Sequence, residues 1–341
     1  MLGAIFAILS AASFALNNAM VRRGVITGTP LQAMAVSLPL GVVCFLPIAW
    51  AAGELGRLTE FPLKATAWMA GLGVIHFVIG RYCNFRSNQV AGVNLTAPVV
   101  QLQVVVTMVL AVIILHEPCT ALQMAGGVLI VAGSLITQRQ APRPRAAQPL
   151  SAAPTVPAAG PTTAKPALPL FAPRYLAGYL LASAAAIAYG STPVMARFAL
   201  EHTGPSTGIL GGLIAYIAAT AVAALALLSA SVRRNVFTLS RENSRWFAYS
   251  GVLVAMAQGF FFCGVAVAPV MLVMPLLQLS LLFRLLFSTW MNPDHEVYGA
   301  LVLSGVAISV AGALMVSIDT GMILHALAVP DAIARVLLWR V

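Results

Sequence analysis

Charged residues are scarce in this sequence. Its 341 residues include 19 Lys and Arg and 9 Asp and Glu, so that 8% are charged, whereas about 25% is usual for a soluble globular domain. Because 60% of the residues are apolar, the chain could not cover its own surface with polar groups in water. The scarcity of charge therefore excludes an ordinary soluble domain and predicts an integral membrane protein whose solvent is the lipid bilayer.

The motifs of metal, redox and hydrolytic enzymes are also missing. The four cysteines form no CxxC motif, and neither His116-Glu117 nor His295-Glu296 continues into HExxH. No glycine-rich loop is followed by Lys-Ser or Lys-Thr, which argues against ATP hydrolysis. We therefore expect no catalytic residue, no metal and no cofactor, so an intramembrane enzyme is disfavoured.

The formal net charge of +10 does not indicate a nucleic-acid partner. Basic residues lie mostly between or at the edges of the apolar segments, and pairs such as Arg233-Arg234 have no interleaved aromatic residues for base stacking. We read them as determinants of membrane topology, because Lys and Arg favour cytoplasmic loops. No nucleic acid is expected to bind.

Ten apolar segments account for most of the chain. Each is about 20 residues long, enough for a helix to cross a hydrocarbon core of roughly 30 Å, and backbone groups in lipid must bond internally. The chain is apolar from Leu2 without a preceding basic region, so we expect a retained first helix. The segments are 2–21, 30–52, 65–86, 92–115, 119–138, 175–199, 207–230, 245–267, 269–291 and 297–317.

A proline-rich segment divides the ten predicted helices into five plus five. Residues 139–173 contain nine prolines together with much alanine, threonine and serine, which predicts a disordered linker. The predicted organisation is a first five-helix repeat at 1–138, the linker at 139–173, a second five-helix repeat at 174–318 and a short interfacial tail at 319–341.

The two halves can be aligned with each other. Pro98 and Gln101 fall on Pro275 and Gln278, 177 residues later, and four more groups of matches follow the same order at similar offsets. Five crossings place the second half upside down in the membrane, so the predicted fold is all-α with two inverted repeats, an architecture of secondary transporters. The other matches are Arg22 and Pro30 with Arg197 and Pro205, Gly71 and Cys83 with Gly251 and Cys263, His116-Glu117 with His295-Glu296, and 131–133 with 310–312.

Short motifs in this order resemble the EamA-type branch of the drug/metabolite transporter superfamily. They are Asn17-Asn18, Pro98, His116-Glu117-Pro118, Gly126-Gly127 and 131–136 in the first half, and Pro275, Glu296, Gly305 and 310–312 in the second. The resemblance implies a ten-helix, multi-pass carrier of the inner membrane that exports amino acids or other small metabolites. The chain departs from the family in its long linker and in having no proline after Glu296.

We therefore predict a secondary transporter that moves a small polar metabolite, such as an amino acid or organic anion, by alternating access. Its partners would be that solute and the bilayer, and homo-oligomerisation is left open. The alternative is a lipid-handling or accessory membrane protein, which a cavity open laterally to lipid would favour. Orientation is also left open, because the charge rule places the termini outside whereas the resemblance implies cytoplasmic termini.

Polar side chains within the spans are the candidates for substrate binding, because such groups are costly in lipid. Five of them have a structural alternative: helix packing for the asparagines, a proline kink for Gln101 and Gln278, and snorkelling to the interface for Arg284. If Arg284 is instead buried, an anionic substrate could pair with it. The predicted set is Asn17, Asn18, His76, Arg81, Tyr82, Gln101, Tyr189, Gln258, Gln278 and Arg284.

Two acidic residues are predicted to lie at helix starts. Glu117 and Glu296 precede the fifth and tenth apolar segments, and a carboxylate stabilises the positive end of a helix dipole. A role in proton coupling is the alternative for both residues.

Overall fold

The structure, a computed structural model, describes most of the chain. The described residues are 2–24, 28–91, 96, 99–139, 174–201, 203–280, 282–283, 286–287 and 300–317. The predicted linker after residue 139, the second hinge with Glu296, the tail and Arg284 lie outside these ranges, as does the side chain of Asn18. The predictions made for them stay predictions.

Helices account for all the extended regular structure in the described ranges. One of them, α3, is continuous over Leu63–Ala91 and contains a π-helical segment at Gly73–Gly80. A short 3-10 helix lies at Glu54–Arg57. The α-helices of the described ranges are α1 Leu2–Gly24, α2 Pro30–Ala51, α3 Leu63–Ala91, α4 Gln103–Leu115, α5 Ala121–Arg139, α6 Tyr175–Leu200, α7 Pro205–Ala226, α8 Ala230–Phe237, α9 Arg241–Val267, α10 Val270–Leu277 and α11 Ala300–Ser317.

Five of the described helices are long and apolar enough to cross a membrane, judged by length and composition: α2, α3, α6, α7 and α9. Shorter apolar stretches of 10–17 residues lie in α1, in 99–115 around α4, in α5 and in α11. This arrangement is that of a multi-pass helical membrane protein. The count of ten spans remains a prediction.

Reciprocal capping boxes begin two of these helices. Thr29 and Gln32 form a reciprocal capping box at the start of α2, where Pro30 occupies the first turn. Thr120 and Gln123 exchange the same pair of bonds at the start of α5. Because each box satisfies backbone donors that a helix start leaves unpaired, both helices begin at defined residues.

Small residues allow the helices to approach each other closely. A Cβ atom on Gly126 of α5 would lie 2.7 Å from the carbonyl oxygen of Gly312 on α11, so only hydrogen fits there. The Ser309 hydroxyl of α11 donates to the Ile130 carbonyl oxygen at 3.2 Å. In lipid, where apolar burial alone does not drive association, such close packing holds helices together. Helices α1 and α9, and α3 and α6, form the other extensive pairs.

A cluster of buried aromatic rings fills the centre of the bundle. The Tyr216 ring of α7 stacks on Phe77 of α3 with centroids 4.4 Å apart and lies 5.3 Å from Phe45 of α2. Gly41 of α2 makes room for it, because a Cβ there would overlap the Tyr216 ring. The cluster thereby joins helices from both halves of the chain.

Candidate functional site

A chain of polar side chains links three helices inside the bundle. His76 of α3 has its Nδ1 3.0 Å from the Thr192 hydroxyl oxygen of α6 and its Nε2 3.1 Å from the Gln258 amide nitrogen of α9. The amide donates to Nε2, so the proton of His76 lies on Nδ1 and is donated to Thr192. The Thr192 hydroxyl donates in turn to the Tyr189 carbonyl oxygen at 2.9 Å. Each link therefore has one donor and one acceptor.

The network lies deep within the apolar spans. His76 is near the middle of α3, roughly 20 Å from either end at about 1.5 Å per residue. Thr192 and Gln258 are 2% and 3% exposed. Because lipid offers no hydrogen bonds, polar groups at this depth bond within the protein or line a polar path. The site can present an imidazole and an amide to a polar solute.

Aromatic rings surround the imidazole. The His76 ring lies 4.8 Å from the Tyr189 ring and 5.0 Å edge-on from Phe77, measured between centroids. Gly80, at the end of the π-helical segment, allows Tyr189 to approach, since a Cβ there would lie 2.8 Å from that ring. Irregular turns of this type are frequent at functional sites.

Arg81 extends the polar region along α3. Its Nη1 donates to the Ser37 hydroxyl oxygen of α2 at 2.9 Å, and its guanidinium carbon lies 5.6 Å from the centre of the Phe77 ring. Ser37 is 5% exposed and Phe77 is completely buried. The guanidinium therefore lies back along α3 towards His76, whereas a snorkelling side chain would point towards the nearer helix end at Ala91.

Two predicted glutamines bond to each other. The Gln101 amide nitrogen donates to the Gln278 side-chain oxygen at 3.0 Å, and Gln278 is 7% exposed. Both lie at turns: Leu102 bonds back to Val99, and the Gln278 backbone nitrogen bonds to the Pro275 carbonyl oxygen at 3.0 Å. The proline-associated break expected from the sequence is present in the ninth segment, and the paired amides lie beside it.

The other described candidates lie apart from this polar region. Asn17 accepts a hydrogen bond from the Ser250 hydroxyl at 2.7 Å, which joins α1 to α9. This contact fits the helix-packing alternative. Tyr82 follows Arg81 but is 43% exposed, so its ring faces the outer surface of the bundle.

Glu117 stabilises a different helix from the one expected. Its two carboxylate oxygens accept hydrogen bonds from the backbone nitrogens of Val270 and Met271, both at 2.9 Å, at the start of α10. The predicted partner, α5, is capped by Thr120 instead. The expectation of a carboxylate at a positive helix end was right in kind and wrong in partner, because the helix lies 153 residues away in the chain.

We expect the substitution Glu117→Ala to destabilise the protein by about 2–4 kcal/mol, because two partly buried N–H groups would lose their acceptor. Glu117→Gln should have about half the effect, since an amide keeps one acceptor oxygen. Thermal unfolding in detergent measures both variants. Glu60→Ala, an exposed carboxylate in the loop before α3, is the control. Equal melting temperatures for Glu117→Ala and the control would contradict the capping role.

Sequence reasoning did not select Ser37 or Tyr216 as site residues. Both lie in helices that are otherwise strongly apolar, and both are buried beside Arg81 or Phe77. A hydroxyl in the middle of an apolar span is the signal that could have identified them. Within the described ranges, no three His, Cys, Asp or Glu side chains are grouped as a metal site requires.

Comparisons with known proteins bear on the family and the fold. Residues 1–139 match the model of the EamA-like transporter family, in agreement with the resemblance read from the sequence. The match covers 139 of the 341 residues, the first of the two predicted halves. A crystal structure of a protein aligns over 96% of this chain and 97% of that chain, with a TM-score of 0.65 and 17% identity, and so shows a similar fold alone. No curated protein matches the sequence.

Proposed function

We propose that this protein is a secondary transporter of the inner cell membrane that exports a small polar metabolite, such as an amino acid or organic anion. The observation that carries the proposal is the buried network of His76, Thr192 and Gln258. It combines residues of α3 with residues of α6 and α9, so it lies between the two predicted halves. A substrate bound there would contact both halves at once.

An inverted relation of the two halves is part of this proposal. If a pseudo-twofold axis relates them, equivalent residues on the axis should meet each other, as they do at a symmetric interface. Gln101 and Gln278 are such a pair, equivalent at an offset of 177, and they share a hydrogen bond. Their contact therefore supports a second half that repeats the first upside down.

Glycines in α5 and α11 support the same relation. At an offset of 179, Gly126 corresponds to Gly305 and Gly133 to Gly312. Gly126 packs on the Gly312 backbone, while Gly133 packs on the Gly305 backbone. A twofold axis through this helix pair would produce this pattern, because it would carry the contact between Gly126 and Gly312 onto the contact between Gly305 and Gly133.

Alternating access would follow from movement of one half against the other. The network at His76 would then be exposed first to one side of the membrane and then to the other. The Glu117 contact with the start of α10 also joins the halves and would need to persist or break during this movement. The His76 network and the Glu117 contact both lie between the predicted halves, so the proposed movement would act on this interface.

Uptake into proteoliposomes tests the proposal. Purified protein would be reconstituted into vesicles preloaded with unlabelled solute, and counterflow of radiolabelled amino acids and organic anions would be measured against protein-free vesicles. We expect accumulation of at least one solute, saturable and competed by excess unlabelled solute. A folded protein that produces no counterflow with any member of the panel would argue against transport and for a lipid-handling or accessory role.

A further inference from the structure

Arg81 is a cation inside the bundle without an acidic partner among the described residues. The ion pairs in the described ranges join Arg57 to Glu54 and Arg197 to Glu201, and neither includes Arg81. One of its five N–H donors bonds to the neutral Ser37 hydroxyl. Arg81 is partly buried, and a charge withdrawn from water is costly unless it is paired. Its unmet N–H donors can therefore bind an anionic acceptor.

A buried hydroxyl on α7 also lacks a partner. Tyr216 is completely buried, and its hydroxyl has no hydrogen bond within the described part of the chain. Thr220, one turn further along α7, has an equally buried and unpaired hydroxyl oxygen. A buried unpaired polar group costs about 1–3 kcal/mol. Such groups are rare in native proteins and call for a specific explanation.

Arg81 and Tyr216 are brought together by the aromatic cluster. The Arg81 guanidinium lies 5.6 Å from the Phe77 ring, and the Tyr216 ring stacks on the same Phe77 at 4.4 Å. The Tyr216 ring packs on Gly41 of α2, one helical turn after Ser37, the hydrogen-bond partner of Arg81. Both side chains therefore contact Phe77, and α2 carries a neighbour of each, Ser37 for Arg81 and Gly41 for Tyr216.

We propose that Arg81 binds a carboxylate group of the transported solute and that Tyr216 donates a second hydrogen bond to it. The inference rests on the proposed function and narrows the substrate class to small metabolites that carry a carboxylate. A guanidinium matches the two oxygens of a carboxylate with two parallel hydrogen bonds. The remainder of the solute would lie towards His76, whose ring contacts Phe77 on the neighbouring position of α3.

The test compares carboxylates with their uncharged amides on the detergent-solubilised full chain. The probes are succinate with succinamide and benzoate with benzamide, each at equal concentration, and the measurement is the melting temperature with and without probe. In the wild-type protein we expect at least one carboxylate to raise the melting temperature by about 2 °C or more, while its amide has no effect, because only the ligand that binds the folded state stabilises it.

Three variants separate ligand binding from structural support. Arg81→Gln should abolish the carboxylate effect while the ligand-free melting temperature stays the same or rises, because an unpaired charge has been removed. Tyr216→Phe should weaken carboxylate binding about fivefold, the loss of one hydrogen bond, without lowering the ligand-free melting temperature. Arg86→Gln is the matched control, since Arg86 is exposed and bonds to Gln89 of its own helix.

Several results would overturn the inference. A ligand-free Arg81→Gln protein that melts well below wild type would assign Arg81 a structural role. Equal stabilisation by a carboxylate and its amide, or by a carboxylate in wild type and Arg81→Gln, would show recognition without the charge. If no carboxylate probe stabilised the wild-type protein, carboxylate binding at Arg81 would be wrong. In each case, counterflow of an uncharged solute would still support the proposed transport function. Absence of counterflow for every solute would contradict both the transport function and the carboxylate site.

Discussion

The substitution Gly133→Val is expected to lower the melting temperature by roughly 4 °C, because it would force apart the closely packed helices α5 and α11. A Cβ on Gly133 would lie 2.6 Å from the Ser309 backbone nitrogen and still closer to the Gly305 carbonyl oxygen. Since these are backbone atoms, no side chain can rotate away, and α5 and α11 must separate. Overpacking typically costs about 1–3 kcal/mol, and a rigid backbone contact places this site at the upper end.

The size of the added group should order the effects at this helix pair. Gly133→Ala should be milder than Gly133→Val, and Gly312→Ala should resemble Gly133→Ala, because a Cβ on Gly312 would lie 2.8 Å from the Ile130 backbone nitrogen. Gly56→Ala is the control, since nothing lies within 4 Å of a Cβ there. Thermal unfolding in detergent provides the measurement. If the Gly133→Val and Gly56→Ala proteins had the same melting temperature, the observed close packing of α5 on α11 would be contradicted.

The substitution His76→Ala is expected to reduce counterflow of the transported solute about 30- to 100-fold. His76 is the central member of the network, so its removal breaks the bonds to both Thr192 and Gln258. Two lost hydrogen bonds in a dry environment correspond to roughly 2–3 kcal/mol. Without its bond to His76, the Gln258 side chain, which is 3% exposed, would also lose its fixed orientation. The measurement is the initial rate of counterflow at equal amounts of reconstituted protein.

Variants at the two partners distinguish a binding network from a packing contact. Thr192→Val keeps the shape of the side chain and removes the hydroxyl, and should reduce counterflow by about fivefold, the equivalent of one hydrogen bond. Gln258→Leu should have an effect between those of Thr192→Val and His76→Ala. Ser304→Ala is the control, because Ser304 is exposed and its hydroxyl bonds only within α11. Unchanged counterflow in a folded His76→Ala protein would remove the network from the transport path.

Most of the helical architecture could be predicted from the sequence alone. Most predicted starts are within about four residues of the observed ones; for example, the predicted 207–230 is observed as Pro205–Ala226. The exceptions are the fourth segment, which was predicted from residue 92 whereas α4 begins at Gln103, and α8, which was not predicted. The predicted starts depend on local signals, such as Pro30 after Thr29 or the capping residues Thr120 and Gln123. The predicted ends are less accurate. The predicted segment 269–291 contains Pro275, and its first helix, α10, already ends at Leu277.

The candidate site was only partly predictable. His76, Gln258 and Tyr189 were selected as polar residues inside spans, and the structure brings them together, whereas Asn17 joins α1 to α9 and Tyr82 lies on the outside. Polarity at membrane depth identifies residues that need partners. It does not identify the partner, because a given depth is shared by side chains from several helices.

Composition and local pattern by themselves determined that this is a helical membrane protein, because the bilayer thickness sets helix length and capping and proline signals set helix ends. Tertiary structure alone decided which groups meet. Helix crossings permitted by glycines place His76 against Gln258, 182 residues away, and place Glu117 against the start of α10 instead of α5. It also brought Arg81 and Tyr216, whose hydroxyl is unpaired, into contact with the same ring, Phe77. The scarcity of charge therefore defines the protein class, while packing determines what each rare charge contacts.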